Sequence, residues 1–242
     1  MATGLAHRER GSVRDDARTR RLYVVWQHPE TRRFVTVGRL EVTPEGYAFE
    51  YEPDAAREPG FEGFAAFPDF RHRYHSDRLF SFFANRVLSP RRPEYATYLD
   101  ALALEDDAMT PVEMLARSGA ARATDTVHIV PEPQPLPDGR EVLLFLASGV
   151  RHLPSAETRI AQLRSGDQLH LRDEADNDVN PDAVLLDTDS GEPVGWVPDY
   201  LLEVVHGYRA RGPVHLYVER ANGPPAPSHL RLLCRLEARP GG

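Results

Sequence analysis

The chain has 242 residues, 41% hydrophobic and 27% charged, with 21 Pro, 17 Gly and a formal net charge of −8. This is the composition of a globular protein rather than a collagenous, disordered or membrane-embedded one, and its length fits one large core or two small ones. Every cationic side chain is Arg, because the sequence contains no Lys; a Walker-A lysine, a kinase strand lysine and Schiff-base chemistry are therefore excluded.

The acidic balance disfavours a protein that coats long duplex DNA, since such binding rests on many cations, but it leaves open a pocket that grips one nucleic-acid end. No window reaches the length of a membrane span and the first residues lack the apolar core of a signal peptide, so no membrane partner and a cytoplasmic location are expected. The single Cys234 allows neither an internal disulfide nor a cysteine-based zinc site.

Residues 1–21 hold six Arg among three acidic side chains and almost no apolar periodicity, which predicts a disordered basic arm. From Leu22 the runs LYVVWQ, RFVTVGRLEV and GYAFEYE, separated by HPETR and TPEG, predict a strand meander. An aromatic stretch follows, and from Ser76 the spacing of Leu79, Phe82, Phe83 and Arg86 predicts a helix with one core face. Pro93 opens a second helix carrying Tyr95, Tyr98, Leu99 and Leu102. Thr110, Pro111 and Glu113 form a capping box with an N1 proline for a third, which Gly119 ends. A short strand, DTVHIV, leads into a proline-rich linker at 134–139.

Past Arg140 come the strand EVLLFLASG, a short helix from about Ser155 with Ile160 and Leu163 inward, and the strand DQLHLRDE. The polar loop ADNDVNPD, the strands AVLLDT and PVGWV, a helix from Pro198 with Leu201, Val204, Val205 and Tyr208 in one stripe, and the strands PVHLYVER and HLRLLCRLEA complete the set. The fold class is α+β, mostly β: a meander with helices, then six strands and two helices in an OB-like, partly closed barrel. Residues 140–242 read as a self-contained unit expected to fold alone.

Few residues suggest catalysis. Cys234 shares a strand face with Leu232, Leu236 and Ala238 and reads as a small buried hydrophobe. His72 and His75, with Asp69 and Asp77 nearby, make an H-x-x-H, but the interleaved Arg71, Arg73 and Arg78 repel a cation. Glu174, Asp176, Asp178 and Asp182 lack the glycine and terminal glutamate of an EF-hand, so an Asx-rich connection between strands is the plainer reading. Neither a metal nor a cofactor is called for, and the protein is not expected to be an enzyme. A nuclease built on Asp176, Asp178 and Asp182 ranks last, because carboxylates on one loop lack rigid support.

The segments GVRHL, LRSGDQLHLRDEADNDVNPDAVLL and GEPVGWVPDYLLEVV resemble, in order and spacing, the motifs of HIRAN domains across about residues 140–238. The resemblance implies a small β-barrel that binds the 3′ end of single-stranded DNA. It implies that Arg151 meets the terminal phosphate, His152 stacks on a base, Asn177 is the loop asparagine and Trp196 the aromatic of the "v-G-y-v-P" strand. Two positions depart: Val179 stands where the family has an aromatic, and Asn180 where it has an aspartate that accepts from a terminal hydroxyl. An uncharged acceptor makes a weaker bond there.

Residues 22–133 carry TVGRL, FEY, FPDF, YHSDRLFSFFANR and MLARSG, which together resemble the N-terminal subdomain of HipA-type proteins. That resemblance implies a protein-contact module without the kinase core. The leading expectation is thus a non-catalytic, bacterial-type protein that binds single-stranded DNA or a DNA 3′ end through residues 140–242 and a protein partner through residues 22–133. The second is an antitoxin-like regulator of a separate HipA-like kinase with no DNA binding. Residues 22–139 hold 12 Arg against 19 Asp and Glu, a balance that repels phosphates and favours a protein partner for this half.

Overall fold

The computed structural model describes residues 20–105, 109–120 and 126–239. Of the basic arm, residues 1–19 lie outside the described residues, while Arg20 and Arg21 already belong to the first strand. Strands β1 (Arg20–Gln27), β2 (Phe34–Thr43), β3 (Gly46–Tyr51) and β4 (Tyr74–Ser76) form the expected meander, and β5 (Val127–Pro131) returns beside β1. The resulting antiparallel sheet has the order β4-β3-β2-β1-β5. β1 is covered on both faces, which is why LYVVW reads as an apolar run rather than an alternation. Leu22, Val24 and Trp26 enter the aromatic core of this half, and Val25 packs toward the other half.

Aromatic side chains dominate that first core, centred on Phe49, Phe67 and Phe83. Tyr51 organises the loop above it: its hydroxyl donates to the Phe67 carbonyl at 2.8 Å and accepts from the Phe64 amide at 2.7 Å. Gly38 on β2 is required by close approach, since a Cβ there would lie 2.9 Å from both the Glu50 carbonyl oxygen and the Phe49 ring.

The helix expected from Ser76 is a correction. Ser76 ends β4, and its hydroxyl accepts from the Arg78 amide and donates to the Arg78 carbonyl, a local turn that competes with helix. Only the single turn α1 (Ser81–Ala84) forms, and Phe83 is carried into the core by the wrapping of the chain rather than by a long amphipathic stripe. The other two helices are α2 (Tyr95–Ala101) and α3 (Pro111–Ser118). In α3 the Thr110 side chain accepts from the Glu113 amide, Pro111 occupies the first turn and Gly119 closes the helix at φ +69°, as the sequence predicts.

The second sheet contains β6 (Gln134–Pro135), β7 (Glu141–Leu146), β8 (Gln168–Asp173), β9 (Val184–Asp187), β10 (Pro193–Trp196), β11 (Val214–Ala221) and β12 (Leu232–Ala238), in the order β10-β9-β8-β11-β12-β7-β6. Helices α4 (Ala156–Ile160) and α5 (Leu202–Arg211) cover it. The sheet has seven strands, because two residues of the proline-rich segment pair with β7 at the edge, where proline is tolerated. It is not closed into a barrel by a continuous ladder. β8 meets β11 through only two residue pairs, and the segment that follows β7 touches β10 through an isolated bridge between Ser148 and Trp196.

The two sheets are not independent. Val25 and Val130 of the first belong to the same apolar cluster as Phe145, Leu186, Leu216 and Leu236 of the second. A further cluster joins Leu99, Leu102 and Met114 to Leu146, Leu230 and Leu233. Asn222 stitches this seam, its amide donating to the Ala101 carbonyl at 3.0 Å and the Leu230 carbonyl at 2.6 Å.

Candidate nucleic-acid interface

The end of β7 runs into Ser148 and Gly149 and then a 3-10 turn, Val150–His152. Ser148 exchanges backbone hydrogen bonds with Trp196 at 2.9 and 3.0 Å, which brings the start of that turn against β10. Gly149 packs closely against the indole: its φ is +68°, and a Cβ would come within 2.4 Å of Trp196 Cε3. Only glycine meets both conditions. Arg159 adds a second tie, donating to the carbonyls of Pro154 at 3.0 Å and Pro193 at 2.9 Å.

Trp196 is half-buried and fixed at its polar end, where Nε1 donates to Glu174 Oε2 at 2.7 Å. The same carboxylate oxygen accepts from Asn177 Nδ2 at 2.5 Å. Asn177 Oδ1 in turn accepts from the amides of Val179 at 2.9 Å and Asn180 at 3.0 Å. Asn180 Oδ1 accepts from the Asp182 amide at 3.0 Å, and its Nδ2 donates to Asp199 Oδ1 at 3.3 Å. Both asparagine side chains are thus occupied in shaping the loop, in the manner of Asx turns. The loop presents Val179 outward with 90% of its surface exposed.

Arg151 and His152 are exposed on the 3-10 turn. Arg151 Nε donates to His152 Nε2 at 3.1 Å, and among the described residues no carboxylate pairs with the Arg151 guanidinium. The structure therefore brings Arg151, His152 and Trp196 to one end of the sheet through the Ser148–Trp196 bridge, and Asn177, Val179 and Asn180 to the same end through Glu174. Glu174 is the residue that sequence reasoning underrated. Its place in the strand motif was visible, but its role as the acceptor shared by Trp196 and Asn177 depends on the folded loop. Gly149 belongs to the GVRHL segment, but its contact with Trp196 arises only in the folded chain.

Other candidates carry less. Cys234 is fully buried and burial pushes its thiol pKa well up, away from the thiolate needed for nucleophilic chemistry. His75 is exposed on β4 and His72 packs edge-on against Tyr74. Asp176, Asp178 and Asp182 are exposed on the loop. Among the described residues, no group of three or more His, Cys, Asp or Glu is placed to hold a metal ion, and no helix is long and apolar enough to cross a membrane.

No protein-family model matches the chain, and comparison with curated proteins finds no match. Solved structures similar to parts of it include the N-terminal domain of HipA toxin, at 23% identity and TM-score 0.32, covering 48% of this chain and 94% of that one. A protein from Lactobacillus plantarum is similar at 17% identity and TM-score 0.33, over 42% of this chain and all of that one. The HIRAN domain of human HLTF is similar at 12% identity and TM-score 0.30, over 43% of this chain and 81% of that one. Both families whose motifs the sequence resembles are thus represented among the similar structures.

Proposed function

We propose that this protein is a non-catalytic binder of single-stranded nucleic-acid ends, acting through the end of the second sheet, with the first half serving as a protein-contact module. The observation that carries the reading is an exposed guanidinium without a carboxylate partner, Arg151, on a turn packed against an indole that is fixed on two sides. A phosphate needs a cation, a base needs a flat apolar face, and a single strand offers both within one nucleotide. The HIRAN-like motif pattern, which has the same residue types at this point, supports the reading. The acidic loop beside Val179 repels phosphates. It directs the backbone of a bound strand toward the Arg151 side and its terminal nucleoside toward Trp196 and Val179.

The test is a fluorescence-anisotropy titration with a labelled single-stranded DNA ending in a 3′-hydroxyl or a 3′-phosphate. Arg151→Ala should weaken binding on the order of tenfold and flatten its salt dependence by about 0.7 in logarithmic slope, as expected for one lost phosphate contact on a single strand. Arg57→Ala, on the 3-10 turn Ala55–Arg57 of the first half and paired with exposed Asp54, should change neither. The hydroxyl end should bind more tightly than the phosphate end. Absence of binding to both at low salt and micromolar protein would remove the nucleic-acid reading.

A further inference from the structure

Arg231 is an unusual charge. It lies between the 3-10 turn Ser228–Leu230 and β12, its side chain is only 10% exposed, and two of its three guanidinium nitrogens, Nε and Nη1, are buried without a hydrogen-bond partner. The third, Nη2, reaches Glu157 Oε2 at 3.4 Å, a long contact to a carboxylate that is itself half-exposed. An arginine taken out of water with one weak partner is costly. A residue serving stability alone would be expected either to complete its hydrogen bonds or to be apolar.

Its position brings it close to the candidate site. β12 pairs with β7 in a register that sets Leu233 opposite Leu146, and the Ala147 amide donates to the Leu232 carbonyl. The 3-10 turn Ser228–Leu230 that leads into Arg231 packs against the turn Val150–His152, which follows Ser148 and Gly149. Glu157, the partner of Arg231, lies in the first turn of α4, five residues beyond His152. The buried guanidinium therefore sits at the same end of the sheet as Arg151 and the Trp196 indole.

We propose that Arg231 is a second phosphate-binding guanidinium of this site, masked in the free protein by Glu157. The ligand is a phosphodiester of the bound single strand, whose oxygens replace the Glu157 carboxylate at Nη2 and engage Nη1 beside it, the end-on pair of the guanidinium. Arginine suits this role because its planar fork offers parallel donors to two phosphate oxygens. Glu157 on the exposed first turn of α4 can turn outward into water, so unmasking costs only a weak surface contact. The proposal rests on the nucleic-acid reading above, and it adds a residue outside the segments that carry the HIRAN resemblance.

The experiment compares wild type, Glu157→Gln, Arg231→Met and Arg151→Ala in anisotropy titrations with a labelled single-stranded DNA over a range of salt, each variant also followed by thermal unfolding. Removing the masking charge in Glu157→Gln should raise affinity by about two- to fivefold, the scale of a partly exposed ion pair. Arg231→Met keeps the bulk of the buried side chain and removes its charge, so the fold should be retained, because buried ions replaced by apolar groups are commonly neutral or stabilising. Its affinity should nevertheless fall on the order of tenfold, with a logarithmic salt slope smaller by about 0.7. If wild type binds in an Arg151-dependent way while Glu157→Gln and Arg231→Met match it, the Arg231 proposal is overturned and the nucleic-acid reading stands. If Arg231→Met unfolds readily and Glu157→Gln binds no better than wild type, Arg231 is structural and the proposal again fails. If wild type binds no strand at all, the underlying reading fails with it.

Discussion

Gly149 holds the candidate site together through a single backbone position. Alanine there would incur both the penalty of a positive φ and a collision with Trp196 Cε3 at 2.4 Å, whereas Gly139, at φ +80°, has nothing within 4 Å. Gly139→Ala therefore measures the backbone penalty alone, about 1 kcal/mol. Gly149→Ala is expected to lose about 2–4 kcal/mol, because displacing packed groups adds roughly 1–3 kcal/mol to that penalty. It should also weaken strand binding by moving the turn that carries Arg151. Thermal or urea unfolding of the two variants checks this, and equal losses would show that the Gly149–Trp196 contact carries no energy. Asn177 and Asn180 also act singly, as positioning residues, since their side chains are committed to the loop's own amides and to Glu174 and Asp199.

Among the strands, the outer face of the first sheet is held by an ionic lattice around Glu41 on β2. Burial pushes the Glu41 carboxyl up, but the charge of Arg73 and hydrogen bonds from Arg21 and Arg73 more than reverse this, so its pKa falls below the ordinary 4.5. A depressed folded-state value means that the stabilisation is fully present above pH 4.5 and is lost as pH falls through the folded value. Glu41→Gln should therefore cost about 1 kcal/mol near neutrality and shrink that difference in acid. Urea midpoints taken on both sides of pH 4.5 would show it, and a pH-independent difference would contradict it. Elements whose signals are local were legible in the sequence: α3 is announced by Thr110, Pro111, Glu113 and Gly119, and β1 to β3 by their apolar runs. The helix expected from Ser76 failed because one hydroxyl bound nearby backbone groups. The open second sheet could not be read, since the short β8–β11 pairing and the lone Ser148–Trp196 bridge are long-range features. The same limit hid Glu174, which becomes a shared acceptor only when the loop after β8 is brought to β10.

Between them, the two sheets share apolar surface that neither half can cover by itself. Leu99, Leu102 and Met114 pack with Leu146, Leu230 and Leu233, and Tyr200 stacks on His128 with ring centroids 4.7 Å apart. The expectation that residues 140–242 form a self-contained unit has to be weighed against this seam, because the isolated fragment would expose it. The full chain should unfold in one cooperative transition, and Leu233→Ala should lower its stability by about 2–5 kcal/mol without splitting it. Differential scanning calorimetry resolves the matter: two separated transitions would mean that the seam does not couple the halves.

The proposed recognition of a strand end by the second sheet requires Trp196 to serve as a stacking face for a base, a contact worth about 1–3 kcal/mol. The chain has two tryptophans, and Trp26 is buried against Phe61, so Trp26→Phe leaves Trp196 as the sole tryptophan emitter. Titrating that variant with a short single-stranded DNA ending in a 3′-hydroxyl should quench its emission saturably, with the same midpoint as the anisotropy signal. Binding seen by anisotropy with Trp196 emission unchanged would contradict the stacking role.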